Sequence, residues 1–161
     1  MEQAHVDHAY ALAPNLREAD KFEFSCNFSE AFPDVASMLV QGLEDTEMTV
    51  GADAYTICDD GRILGMWGHS PWESPLFKLP VGAVWLCSTD ELFERFPILM
   101  TRLAREQVFP RLDTIYSAYG NLVHSKNIVH VRWLASAGFK TISRTQRGGE
   151  PFSLMLRNPN V

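Results

Sequence analysis

Asn121-Leu122-Val123-His124-Ser125-Lys126-Asn127-Ile128-Val129-His130-Val131-Arg132-Trp133-Leu134-Ala135-Ser136-Ala137-Gly138-Phe139 is the stretch that decides the fold, because it reads as strand, cap, helix and stop without a break. Leu122 and Val123 fit the end of a buried strand. Ser125 and Asn127 have short side chains that accept hydrogen bonds from the free N–H groups at a helix start. Ile128, Val131, Leu134 and Ala135 recur at helical spacing and predict an apolar stripe facing the core. Gly138 is placed to take the left-handed conformation that closes a helix, and Phe139 then returns to the core.

Ahead of this block, helix-like and strand-like runs alternate. A first strand is expected near Gln3 to Val6, followed by a helical stretch from Asp7 through Cys26 that Pro14 breaks in two. Arg17, Asp20, Lys21 and Phe24 fall near one face of the second helix, with Glu23 about 60° to the side. That face reads as a solvated surface carrying an Arg17–Asp20 pair. Phe32-Pro33-Asp34 opens a further helix through Val35, Met38, Leu39 and Leu43, which the polar run from Glu44 to Glu47 should end.

Asp59-Asp60-Gly61 is a tight-turn signature between strands at Ala54–Cys58 and Ile63–Gly68. Gly65 and Gly68 predict a bulge or a close approach of something to the backbone. Ser70 to Pro80 contains three prolines and reads as a loop and candidate lid. Val81–Cys87 reads as a central strand buried on both faces, and Ser88-Thr89-Asp90-Glu91 as a capping box. Pro97 suits the first turn of a helix through Leu99, Leu103 and Val108, which Pro110 should kink or end. Phe139–Thr145 and Phe152–Arg157 predict a terminal hairpin around the loop from Gln146 to Pro151.

Composition sets the class. The chain has 161 residues, 46% of them hydrophobic and 21% charged, which predicts one globular domain over residues 1–161. A net charge of −6 is the wrong sign for gripping a phosphate backbone, so nucleic acid is not an expected ligand. No apolar run approaches the roughly 20 residues a membrane span requires, and the N-terminus lacks the pattern of a secretory signal, so a cytoplasmic location is expected. The three cysteines are far apart, which predicts free thiols and no metal site.

Asn127, Gly138 and Phe139 match the spacing of the last conserved block of the GNAT superfamily, the acetyl-CoA-dependent N-acyltransferases. Leu16-Arg17-x-x-Asp20-x-x-Glu23, the Trp85-Leu86 pair and the block from Asn127 to Trp133-Leu134-x-x-x-Gly138-Phe139 more closely resemble GNAT-like proteins of tailed bacteriophages. The resemblance implies an α/β (α+β) single-domain fold with a central mixed, mostly antiparallel sheet of six to seven strands flanked by helices. It also implies acetyl-CoA bound along Leu86, Cys87 and Ser88, with Asn127 shaping the pantetheine side. Glu23 then stands as general base, because the first helices of such proteins wall the acceptor site.

Two departures from the family pattern bear on activity. The Gly-rich loop that cradles pyrophosphate is missing: from Ser88 to Pro97 there is no glycine, and three carboxylates stand against Arg95. Arg95, Arg102 or Arg105 would have to supply side-chain contacts instead. Secondly, the family's acid Tyr is replaced by Leu134, which leaves Tyr119, or Tyr116, as the candidate acid. Two functions follow from the resemblance. One is a phage-encoded N-acetyltransferase acting on an amine of a small molecule or host protein; the other is a catalytically degenerate scaffold that binds a host protein, or a minor virion component. In either case the location would be the host cytoplasm.

Overall fold

The computed structural model describes residues 1–27, 34–72 and 81–158. Its sheet has seven strands in the order β1-β2-β3-β4-β5-β7-β6. In chain order these are β1 (Glu2–Gln3), β2 (Asp53–Asp59), β3 (Arg62–Pro71), β4 (Val81–Ser88), β5 (Ala118–His124), β6 (Lys140–Arg147) and β7 (Glu150–Arg157). The helices are α1 (Val6–Leu12), α2 (Glu18–Asn27), α3 (Val35–Met48), α4 (Asp90–Arg95), α5 (Pro97–Leu103), α6 (Phe109–Ile115) and α7 (Ile128–Ser136). β4 pairs with β5 in parallel, whereas β1–β2, β2–β3, β5–β7 and β6–β7 are antiparallel. The mixed, mostly antiparallel sheet flanked by helices is the expected architecture.

The chain groups into two compact units, residues 1–70 with 85–96 and residues 71–84 with 97–161. In the first, β1 starts the sheet and Pro14 divides the helical stretch through a short 3₁₀ turn, Ala13–Asn15. Asp34 caps α3, its carboxylate accepting the Ser37 N–H at 2.8 Å; the other two residues of the expected start, Phe32 and Pro33, lie outside the described residues. Glu44 to Glu47 do not end α3: they form its last turn, and the helix runs to Met48. Ala9, Leu12, Leu16, Leu39, Leu43, Ala54, Met66 and Cys87 form this unit's apolar core.

The β2–β3 hairpin turns on Asp60 and Gly61, both at positive φ (47° and 74°), as the sequence requires. Its register shifts between Ile57 and Cys58, opposite Gly65 and Ile63, so the expected bulge exists and Leu64 is the extra residue. The close approach exists too, since a Cβ on Gly65 would stand 2.9 Å from the Cys87 carbonyl oxygen. β3 continues through Ser70 and Pro71, which had read as loop; of the expected lid, residues 73–80 lie outside the described residues. β4 is buried at its two ends, but Ala83 to Leu86 are only half-buried, so it is not covered on both faces throughout.

In the second unit Pro110 does not end the helix, which runs on to Ile115. Proline has no N–H to donate to the carbonyl four residues back and its ring crowds that oxygen, and a π-helical segment, Ala104–Val108, stands between α5 and α6. α7 ends as predicted: Gly138 has φ 90°, Phe139 N–H reaches the Leu134 carbonyl at 3.0 Å and Gly138 N–H the Ala135 carbonyl at 3.1 Å. The face it buries matches the predicted stripe in part: Leu134 is in the core and Val131 packs against it. Asn127, His130, Leu134 and Ala137 face inward, whereas Ile128 is 48% exposed and Ala135 is exposed. The terminal hairpin turns at Gly148 and Gly149, a tighter connection than the six-residue loop expected.

Candidate functional site

Arg17 and Asp20, two of the residues that the sequence singles out, meet Ser88 where β4 ends. Arg17 and Asp20 stand three apart at the start of α2 and are 5% and 4% exposed, so this helix face is not the solvated surface its polarity suggested. The Ser88 backbone N–H donates to Asp20 Oδ2 at 3.0 Å, and the Arg17 N–H donates to the Ser88 carbonyl at 3.0 Å. Arg17 Nη1 is 3.6 Å from Asp20 Oδ1 and its Nε is 3.4 Å from Asp90 Oδ1, while its guanidinium lies 4.9 Å from the centre of the Phe93 ring. One buried ion pair thus clasps both backbone groups of the last residue of β4. Spacing alone foretold the Arg17–Asp20 pair; nothing local foretold Ser88, Asp90 or Phe93 as its partners.

The strand edge next to this clasp follows from alternation. In a strand the N–H and C=O of one residue point the same way, and those of residues two apart share an edge. Leu86 therefore presents its backbone groups to the same edge as Ser88, and the parallel register with β5 covers only Val81 to Ala83. Cys87 faces the other way; its buried thiol lies 3.7 Å from the Met66 carbonyl, and burial pushes its pKa far up. Ser88 Oγ is buried and has no hydrogen-bond partner among the described residues.

The start of α4 offers little to an anion. The expected capping box of Ser88 and Glu91 does not form: the cap position falls on Thr89, whose N–H and hydroxyl both donate to the Leu64 carbonyl, at 2.9 and 3.2 Å, and Glu91 pairs with Arg62 and Arg95. Asp90 and Glu91 occupy the first turn, and Arg95 pairs with Glu91. Diphosphate therefore meets two carboxylates, no glycine backbone, and an arginine already bound to an acid.

The remaining candidates have other surroundings. Glu23 is half-buried on α2. Tyr119 is fully buried in the core of the second unit, with Phe109 and Phe139 around it; its hydroxyl donates to Asp113 at 2.9 Å and accepts from Arg157 Nε at 2.7 Å. Burial raises its pKa well above the ordinary tyrosine value. Tyr116 is buried against Gly82, where its ring fills the space of the missing side chain. Asn127 is buried and caps α7, its side-chain oxygen accepting the His130 N–H at 3.4 Å. Leu134, at the place of the family's tyrosine, is 2% exposed and belongs to the core. Among the described residues no group of acids, histidines and cysteines is arranged to hold a metal ion, and no helix is long and apolar enough to cross a membrane.

No protein-family model matches the sequence, and no curated protein matches it either. Solved structures do. A GNAT-family acetyltransferase from Streptococcus pneumoniae superposes with a TM-score of 0.63 at 13% identity, over 98% of this chain and 97% of that one. Ribosomal-protein-alanine N-acetyltransferase from Brucella melitensis gives 0.64 at 12% identity, covering 98% of each chain. AAC(6')-Ib, in complex with ribostamycin and coenzyme A, gives 0.67 at 14% identity, over 99% of this chain and 92% of that one. Strand order, the parallel β4–β5 pairing and these superpositions together show that the chain has the fold of the GNAT acetyltransferases.

Proposed function

We propose that this chain uses the acetyltransferase fold to bind a partner protein and does not turn over acetyl-CoA. One observation carries the reading: the Ser88 N–H, at the strand end along which the cofactor was expected, is held at 3.0 Å by the buried carboxylate of Asp20. A cofactor using that amide would have to displace a carboxylate that is itself paired with a buried arginine, at a cost of several kcal/mol. The acidic first turn of α4 repels diphosphate on top of that cost. The resemblance to tailed-phage proteins supports a protein of the bacterial host as the partner, and a virion component would bind its neighbours by the same means.

A second reading, N-acetyl transfer to an amine of a small molecule or host protein, draws on two features of β4: the outward backbone groups of Leu86 and the unpartnered hydroxyl of Ser88. Glu23 would be its general base; Tyr119, buried and held by Asp113 and Arg157, takes no part. A thiol-release assay with acetyl-CoA and a panel of amines separates the two. The binding reading predicts no turnover above background for the wild type. Turnover that falls roughly 10²-fold in Glu23→Gln, with folding unchanged, would establish the enzyme instead.

A further inference from the structure

We propose that the outer edge of β6 is a docking site for an extended, acidic peptide segment of another protein, which adds to the sheet as a further strand. β6 ends the strand order, and all eight of its residues, Lys140 to Arg147, are exposed. Its charges are Lys140, Arg144 and Arg147, with no acidic residue, in a chain whose net charge is −6.

Which backbone groups are open follows from a proline. The Pro151 carbonyl accepts the Ser125 N–H at 2.9 Å, so the backbone of Pro151 faces β5, and it has no N–H to offer β6. Gln146 stands opposite Pro151 in the β6–β7 register. The two therefore form a non-hydrogen-bonded pair, and the N–H and C=O of Gln146 point away from the sheet. By alternation those of Arg144 do the same. The edge thus offers two donors and two acceptors at strand spacing, the pattern a β-strand matches with its own backbone and a nucleic acid does not.

Basic residues and the bulge between Thr141 and Ser143 are devices that keep sheet edges from pairing with one another. Here the charge has one sign only. Antiparallel pairing with a second copy brings basic strand against basic strand, whereas an acidic strand gains on each face. The edge is closed to its own kind and open to an acidic partner.

The inference rests on the partner-binding reading above, but its test does not involve acetyl-CoA, so either can fail alone. The probe is a capped, fluorescent Glu-Val-Glu-Val-Glu-Val-Glu peptide, followed by anisotropy at low salt. Its control is Glu-Pro-Glu-Pro-Glu-Pro-Glu, which keeps the charge and loses strand pairing. Wild type should bind the first peptide and not the second. Gln146→Pro removes one outward N–H without breaking a bond to β7, and should weaken binding by about tenfold or more. Arg144→Glu, on an exposed position, should do likewise and serves if the proline variant fails to fold.

No binding at about 1 mM peptide would overturn the proposal. So would equal binding of the two peptides, which would reduce the surface to a charged patch. A single-stranded oligonucleotide that binds as tightly as the valine peptide would point to nucleic acid instead. A concentration-dependent dimer that disappears in Gln146→Pro would identify the occupant as a second copy.

Discussion

Asp20 does two jobs at once: it satisfies the last N–H of β4 and balances Arg17 in a place where both are almost wholly buried. Asp20→Ala removes the carboxylate that accepts the Ser88 N–H and takes from Arg17 its buried acidic partner, and should lower stability by about 3 kcal/mol in urea unfolding. Asp90→Ala, at a carboxylate 71% exposed, should cost less than about 1 kcal/mol. Equal effects would mean that the clasp is not a structural unit. Gly138 is the second residue on which much depends, since its φ of 90° lies where a β-branched side chain is strained. Gly138→Val should cost more than about 1 kcal/mol, and an unchanged melting temperature would contradict the helix ending described. These two residues differ in legibility for a physical reason. Gly138 acts within one turn of its own helix, so the pattern around it carries the message; Asp20 acts on a strand 68 residues away, and no local pattern encodes that contact.

At the scale of elements, chain order and turn chemistry were the legible part. Pro14, Asp34, the Asp60-Gly61 turn and the end of α7 all behave as their local chemistry requires. Faces were harder to read. The inward side of α7 takes polar Asn127 and His130 and turns Ile128 and Val129 outward, because the asparagine is used as a cap and the histidine packs beside Trp133, with 6.2 Å between ring centres. Hydropathy sees polarity and cannot see that a polar group has a job inside. The β6–β7 hairpin offers a test by pH. Lys126 and, secondly, His124 hydrogen-bond to Glu150 and hold its pKa below the ordinary glutamate value. A depressed folded pKa contributes stability above the unfolded value, near 4.3, and loses it as pH falls through the folded one. Wild type should therefore melt above Glu150→Gln at pH 7, and the gap should close below about pH 4. A gap that is constant from pH 7 to pH 3 would show that the pairs contribute nothing.

For the whole molecule, the Asn127–Phe139 block and its resemblance led to the fold, with the order of helices and strands in agreement, and the superposed acetyltransferases match over nearly the full chain at 12 to 14% identity. What the fold does here turns on a few atoms at the end of one strand. Missing glycines from Ser88 to Pro97 could be read directly; that the Ser88 amide is already occupied could not, because it depends on where α2 packs. The most direct measurement is a calorimetric titration of the wild-type protein with acetyl-CoA up to about 1 mM, the weak end of ordinary cofactor affinity. The account predicts no saturable heat, because Asp20 holds the Ser88 N–H and the first turn of α4 is acidic. Stoichiometric binding with a Kd below about 100 µM would contradict it.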